Sequence, residues 1–564
     1  MRIHSRSVAI VSAALMALLS ACGSDSTEPP PQLTAPSGVT ATSTSTTSIR
    51  VSWNQVSGAD SYEVDRASGT GAMANISTGL TTTFLEDAGL NPSTQYHYVV
   101  RAVKGTTKSS NSSQASATTG TLGPKVAVIN GVTTSRTLFA DTVYTLSGYV
   151  KVSNASTLTI QPGTKIIGDT LVAGSSLWIL RGSKLIANGT AANPIVFTSA
   201  RSSPNRKPGD WGGIIIVGKG IINRTANPIF TEGPTGAAEN YAGGTDNNDN
   251  SGSLTYVRVE FAGYDVSNGG GQELNSISSY AVGRGTTYDY LESMAGLDDA
   301  FEFFGGAVDI RHMFSFESGD DHFDWTEGYS GRGQFLIALQ TSVIQPKTGT
   351  GVVSSDPRGF EGDGCEIDKA GCTFVNPPFS MPVWANFTVI GPGPGVFGQT
   401  DGNGAVIRRG SGGTFVNGII GRWPGVGISI RDQASKDLQN VDSLYFRNVI
   451  LADNGANFEA AGTNFGSVLN DNAVAWNITT PTLAQVFSGA LPTGATAVTT
   501  ANLNLTLAAT SPAATGGLST FTALITARTT NFFGAAMPAT AYQGAVDPGA
   551  GAKWYEGWTN WVRN

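Results

Sequence analysis

Between residues 296 and 340 one phrase is written twice. Asp298-Asp299-Ala300-Phe301-Glu302-Phe303 returns 22 positions later as Asp320-Asp321-His322-Phe323-Asp324-Trp325. Self-similarity at about 20 residues, rich in strand formers and punctuated by glycine, marks a solenoid of stacked coils. Side chains of a strand alternate between its two faces. Phe301, Phe303, Phe323 and Trp325 are therefore expected inside. Glu302 and Asp324 are expected outside, together with Asp298, Asp320 and His322. Neighbouring strands lie about 4.8 Å apart, so Glu302 and Asp324 come to rest almost on top of each other. Stacked carboxylates repel unless a cation or a shared proton lies between them. That defines a candidate site.

Other coils follow the same logic. Residues 157–167 realign with 176–186 at an offset of 19, each copy a short alternating strand, a glycine turn and a second strand. Asn193-Pro194-Ile195-Val196-Phe197-Thr198-Ser199 and Gly209-Asp210-Trp211-Gly212-Gly213-Ile214 come next. This run resembles the early coils of right-handed parallel β-helix proteins of the pectate-lyase-like kind. The resemblance implies an all-β solenoid over residues 120–480, with strands at 256–260, 288–291, 384–390, 414–420 and 444–451. It implies no single activity, because lyases, hydrolases, adhesins and stalks share the fold. Insertions at 231–253 and 341–379 are expected to gather on one face and build a binding surface. More widely, residues 288–340, Gly404-Ala405-Val406-Ile407-Arg408-Arg409-Gly410 and the Trp-rich terminus resemble a family of secreted bacterial lipoproteins. That resemblance supplies no reaction.

The remaining segments read differently. Residues 1–21 carry Arg2, His4 and Arg6 before an apolar run at 8–19, the pattern of a secretory signal. The run is short for a permanent membrane span. Leu19-Ser20-Ala21-Cys22 resembles the lipobox of bacterial lipoproteins, which implies cleavage before Cys22, acylation of that cysteine and, with Gly23 following, the outer membrane. Cleavage that leaves a free protein is the alternative. Residues 22–33, with Pro29-Pro30-Pro31, read as a stiff tether. Residues 34–119 have the rhythm of short strands and turns, and Pro36, Trp53, Tyr62, Leu90 and Tyr96 give them a resemblance to a fibronectin type III domain. It implies a spacer or binding module, with His97 on a sandwich face and no ligand role. Residues 481–564 lose the coil rhythm and end Trp554-Tyr555-Glu556-Gly557-Trp558-Thr559-Asn560-Trp561. A solenoid end exposes apolar rings and strand edges, so a cap is expected here; stacking on carbohydrate is the alternative.

With 71 glycines and 13% charged residues the composition suits a turn-dense β protein. The formal charge of −8, without a basic stripe, excludes nucleic acid as a partner. Cys365 and Cys372 flank Glu-Ile-Asp-Lys-Ala-Gly, a loop short enough to close as a disulfide in an oxidising compartment. Two separate thiols are the alternative. A zinc site wants more Cys or His nearby than His4, His97, His312 and His322 provide.

Three readings compete for the acidic coils. Asp299, Glu302, Asp321 and Asp324 offer the oxygen ligands that Ca²⁺ takes. Paired carboxylates can instead break a glycosidic bond, with Asp320, Asp321, Asp324 and His322 as the catalytic candidates. Gly319-Asp320-Asp321-His322 resembles the Gly-Asp-Asp of polygalacturonase β-helices, but the Asn-Thr-Asp, Gly-His-Gly and Arg-Ile-Lys companions of that family are missing. A uronate lyase wants a basic group, and Arg311, Arg332, Arg408 and Arg409 are nearest in sequence. Third, Asp at strand ends caps turns by accepting backbone N–H groups; His322 is then a hydrogen-bonded neighbour, and Arg408 and Arg409 pair with carboxylates. The chain reads as a lipid-anchored cell-envelope protein, a non-catalytic binding or structural module directed at glycans. The alternative is a polysaccharide lyase or hydrolase built on residues 298–324. An enzyme needs a cleft around those acids with basic or aromatic groups converging on it; a stalk presents an open ridge.

Overall fold

The computed structural model describes residues 33–121, 123, 125–267, 272–397, 401–459, 476–494 and 503–561. The signal segment, Cys22 and the tether up to residue 32 lie outside the described residues. The chain divides into two compact units, 1–123 and 124–564.

The first unit is a sandwich of two antiparallel sheets. One holds Thr40–Ser43, Ser48–Ser52 and Phe84–Ala88; the other is built on Ser61–Ser68 and Gln95–Lys104. Alternation buries Ile49, Val51, Tyr62, Val64, Tyr98 and Val100 between them. Trp53 packs edge-on against Tyr62 with ring centres 5.3 Å apart. The Tyr96 hydroxyl accepts the Asn91 N–H at 3.0 Å, the corner contact of a fibronectin-type sandwich. His97 bonds Ser116 through Nδ1 at 2.6 Å.

The second unit is dominated by one 24-stranded sheet, parallel throughout and wound into coils. The repeated phrase sits where its spacing places it. Phe301 lies beside Phe323 and Glu302 beside Asp324, and the next coil adds Phe360 and Glu361 in the same register. Inside, Phe301, Phe323 and Phe360 stack at 5.5 Å intervals. Trp325 and Trp384 meet across the lumen at 5.5 Å. Stacking like on like in this way sets Phe323 between two rings, nearly parallel to Phe301 and tilted against Phe360.

The coil Arg358–Asp363 falls inside the stretch 341–379, where only an insertion was expected. Its inward positions are Phe360 and Gly362. A Cβ at Gly362 would stand 2.2 Å from the Trp325 ring, so the coil gives up a side chain to its bulky neighbour and loses its apolar alternation.

Opposite the acidic wall runs a second ladder, Gly252–Glu260, Thr287–Met294, Asp309–Phe316, Arg332–Leu339, Val383–Ile390, Gly413–Gly421 and Leu444–Ala452. Each strand turns at a left-handed residue in the same register: Tyr256, Tyr290, His312, Phe335, Asn386, Asn417 and Asn448. Asn tolerates this conformation; aromatic residues seldom adopt it. Here they stack outside the bend, Tyr256 on Tyr290 at 4.3 Å and Tyr290 on His312 at 4.2 Å.

An end cap was expected of the C-terminal segment. It runs along the flank of this ladder. Val486, Phe487, Leu505, Tyr555 and Trp561 cover outward-facing Phe314, Phe316, Ile337, Leu339, Ile390 and Ile419. The corner asparagines hold it: Asn417 donates to the Thr540 carbonyl at 3.2 Å and Asn448 to that of Gly516 at 2.7 Å. Glu292 receives the Asn560 N–H at 2.8 Å. Trp554 and Trp558 lie against the stacked corner rings, so they serve packing on the flank.

Gly319 shows how tightly the coils meet. A Cβ there would lie 1.7 Å from the Leu297 carbonyl oxygen, on backbone that has nowhere to go. Gly319→Ala is expected to cost about 3 kcal/mol or more, read as a lowered urea midpoint. An unchanged midpoint would show that the coil spacing is loose.

Candidate functional site

The acidic wall becomes a site because three consecutive coils present outward carboxylates in one column: Glu302, Asp324 and Glu361. The next outward column reads Phe304, Thr326, Asp363 and Arg408. Insertions close over both. Arg224, Phe230, Glu232 and Tyr241 come from the stretch between Ile214–Val217 and Gly252–Glu260. Glu366 and Lys369 come from the loop closed by the Cys365–Cys372 disulfide, with Cα atoms 5.3 Å apart. Together they enclose a cleft of about 380 Å³.

Seven carboxylates (Glu232, Glu302, Asp324, Glu327, Glu361, Asp363 and Glu366) face four cations (Arg224, Lys369, Arg408 and Arg409). Most of the cations are committed. Arg224 pairs with Glu327 at 2.8 Å, and the Tyr241 hydroxyl donates to the same carboxylate at 2.6 Å. Arg408 reaches Glu361 and Asp363, each at 2.8 Å. Arg409 pairs with Asp363 and Glu366.

The rest of the acids have no such partner. Burial, then the neighbouring Glu232, holds the Glu302 carboxyl well above the usual range; Asn275 Nδ2 donates to it. Burial and the neighbouring Glu361 do the same to Asp324, whose Oδ1 is buried without a hydrogen-bond partner. Glu232, partly buried, is pushed up to about 8 by desolvation, with Lys369 pulling the other way. Tyr280 offers Glu232 its hydroxyl at 3.4 Å and stacks on Phe304 at 4.1 Å.

The structure sorts the sequence candidates sharply. Asp299 and Asp321 act as caps: Asn275 Oδ1 accepts the Asp299 N–H at 3.0 Å, Asp299 Oδ1 that of Asp321 at 2.8 Å, and Asp321 Oδ1 that of Arg358 at 2.6 Å. This ladder runs down the coils and stitches them together at the strand entrances. Asp320, pushed up to about 6 chiefly by burial, does not line the cleft. His322 is a correction. Expected outside, it is fully buried, with Nδ1 2.6 Å from Ser315 Oγ, and desolvation drives it down to about 3. The strand begins only at Phe323, so alternation does not extend back to it. Of the four catalytic candidates, Asp324 alone lines the cleft.

Oxygens of Asp299, Glu302 and Asp324 lie within 4.8 Å of one another, a spacing that a cation with ligands at about 2.4 Å can bridge. Asp321 groups instead with Asp324 and Glu361, where the Arg358 guanidinium already bonds Asp321 at 3.2 Å and Glu361 at 2.6 Å. Arg311 pairs with Asp289 and Arg332 with Asp309, both away from the cleft; Arg408 and Arg409 line it.

Sequence reasoning missed Arg358, Glu361 and Asp363, although Phe360-Glu361 is a third Phe-acid pair in the column. Arg224, Glu232 and Lys369 arrive on insertions and carry no periodic signal.

A fibronectin type III domain model matches residues 34–119, and a model described as pectate-lyase like beta helix domain matches residues 131–497. No match is found among curated proteins. Among solved structures the chain is similar to an Fn3-like protein from Clostridium thermocellum, with 33% identity, 16% of this chain and 96% of that one covered, and a TM-score of 0.15. It is similar also to FN3tt, with 23% identity, 16% and 95% coverage, and a TM-score of 0.15. Both likenesses concern the sandwich. With its matched stretch spanning most of the second unit, the chain belongs to the pectate-lyase like beta helix domain family.

Proposed function

We propose that this is a surface glycan-processing protein that hydrolyses a glycosidic bond in the acidic cleft. The observation that carries the reading is the cleft itself: carboxylates, cations and aromatic rings converge on one enclosed space instead of forming the open ridge that a passive stalk presents. With Glu232, Glu302 and Asp324 holding protons, the four remaining carboxylates balance the four cations, and a neutral glycan is the fitting substrate. Glu232, protonated near neutral pH, is the acid that donates to the leaving glycosidic oxygen. Asp324, protonated like Glu302 in the crowded column, holds the attacking water through its free Oδ1, and the neighbouring Glu361, paired with Arg358 and Arg408, takes the water's proton. Water adds its oxygen to the anomeric carbon and the two protons balance. Tyr280, Phe304 and Phe230 offer faces for sugar rings. Acylation at Cys22 and an outer-membrane location place this activity at the cell envelope.

The test is reducing-end release from a panel of neutral and acidic polysaccharides by the intact protein. Release from a neutral polymer, lost in Glu361→Gln, supports the reading. Unsaturated uronate products would make the protein a lyase, and a panel without any release would return it to a binding role.

A second reading, favoured by the Asp299, Glu302 and Asp324 oxygens and the unpartnered Asp324 Oδ1, is a Ca²⁺ in that column. It predicts a pH dependence. These carboxyls and Glu232 have folded pKa values raised above the unfolded values of about 4. Their contribution is therefore complete at low pH and is lost as pH rises through the folded values, up to about 8 for Glu232. His322, depressed on folding, opposes this only below its unfolded value of about 6.5. In chelator the melting temperature is expected to fall between pH 6.5 and 8, and millimolar Ca²⁺ to remove the fall. A melting temperature untouched by chelator at pH 8 rejects the metal.

A further inference from the structure

A second, oppositely charged site lies a few residues further along the same coils, where the C-terminal segment meets the strand entrances. Two adjoining cavities of about 410 and 360 Å³ open there. They share Asn248, Arg284 and Asn531. Three elements bring an arginine each: Arg284 from the turn after Ile277–Tyr280, Arg332 from the start of its strand, and Arg528 from the helix Ala523–Thr529. Among the described residues lining the cavities, Asp309 is the one carboxylate.

Asp309 is already taken. Arg332 grips it with Nε at 2.9 Å to Oδ1 and Nη2 on Oδ2. Arg284 comes no closer to it than 4.0 Å. Its Nη2 donates to the Ser330 carbonyl at 2.8 Å, and its Nε is buried without a hydrogen-bond partner. Desolvation depresses Arg284, as it does a cation short of counter-charge. Arg528 donates to the Thr414 hydroxyl at 2.7 Å and, among the described residues, forms no ion pair. Three guanidiniums against one carboxylate leave two positive charges, in a space large enough for a small ligand.

We propose that these cavities bind a phosphate monoester borne by a small hydroxylated ligand. The charge of about −2 that such a group carries near neutral pH matches the excess, and the guanidinium fork fits its oxygens. Asn248 and Asn531 line the same space and can meet hydroxyls. The site is separate from the acidic cleft, and neither reading depends on the other.

Calorimetric titration of the intact protein with glucose 6-phosphate, inorganic phosphate and glucose tests it. Glucose 6-phosphate is expected to bind and glucose not to. Arg528→Gln and Arg284→Gln are each expected to weaken binding at least tenfold. Arg528 lies on a surface helix, so its variant keeps the fold even if the Arg284 change disturbs the turn. Inorganic phosphate binding as tightly as the ester assigns the pocket to the free ion; weaker binding assigns it to the sugar-borne group. Absence of binding by both phosphates, or affinity unmoved in both variants, overturns the proposal.

Discussion

Arg358→Met is expected to lower the unfolding free energy by about 3–5 kcal/mol, the cost of stripping one partner from a buried ionic cluster. Arg358 is 9% exposed and bonds three carboxylates, Asp321 at 3.2 Å, Asp356 at 2.8 Å and Glu361 at 2.6 Å. Methionine fills similar space but returns none of that charge. The acids left behind sit in a wall whose other members already have raised pKa values, so they can relieve the strain only by taking up protons. The loss is therefore larger at pH 8 than at pH 5. Asp321→Asn in the Arg358→Met background is expected to recover part of it, because it removes a carboxylate that has lost its partner while leaving an oxygen for the Arg358 position's N–H. Urea denaturation of the two single variants and the double variant, at both pH values, gives the coupling directly. Equal destabilisation at pH 5 and pH 8 would mean that Arg358 acts through packing alone.

The same cluster shows what was readable in the sequence and what was not. The register of Phe301 with Phe323 and of Glu302 with Asp324 follows from a 22-residue repeat, because a parallel coil brings equivalent residues side by side. Extrapolating alternation one position beyond the strand misplaced His322, since the period of two holds only inside a strand. The flanking tail was hidden for another reason. Arg332–Leu339 and Val383–Ile390 are buried on both faces, which in sequence reads as a strand enclosed by a sheet on either side. In fact the cover comes from residues 483–494 and 503–561, whose apolar side chains have no period of their own. The outward Ile337, Leu339, Ile390 and Ile419 were a signal that something must cover that flank; what covers it is written in scattered Leu, Phe and Trp. The cleft divides the same way. Its floor is periodic and legible, whereas its roof arrives on loops whose position depends on where they leave the coils and on the Cys365–Cys372 closure.

Glu232→Gln isolates the roof's chemical part. If Glu232 is the proton donor, the variant is expected to lose glycosidic hydrolysis by about 10² to 10⁴-fold, since the amide keeps the shape and the Tyr280 contact but has no proton to transfer. In the parent protein the basic limb of the pH–activity profile is expected near 8, where the Glu232 carboxyl ionises. Stability must move the opposite way. Above pH 7 the parent carries the cost of ionising a carboxyl close to Glu302 and Glu327, and the variant does not, so Glu232→Gln is expected to melt at or above the parent temperature at pH 8 and to match it at pH 5. A residue kept for structure alone would show the reverse, lower stability with activity retained in proportion to folded protein. A variant that melts normally yet still cleaves at the parent rate would remove Glu232 from the chemistry and leave the acid to another member of the column.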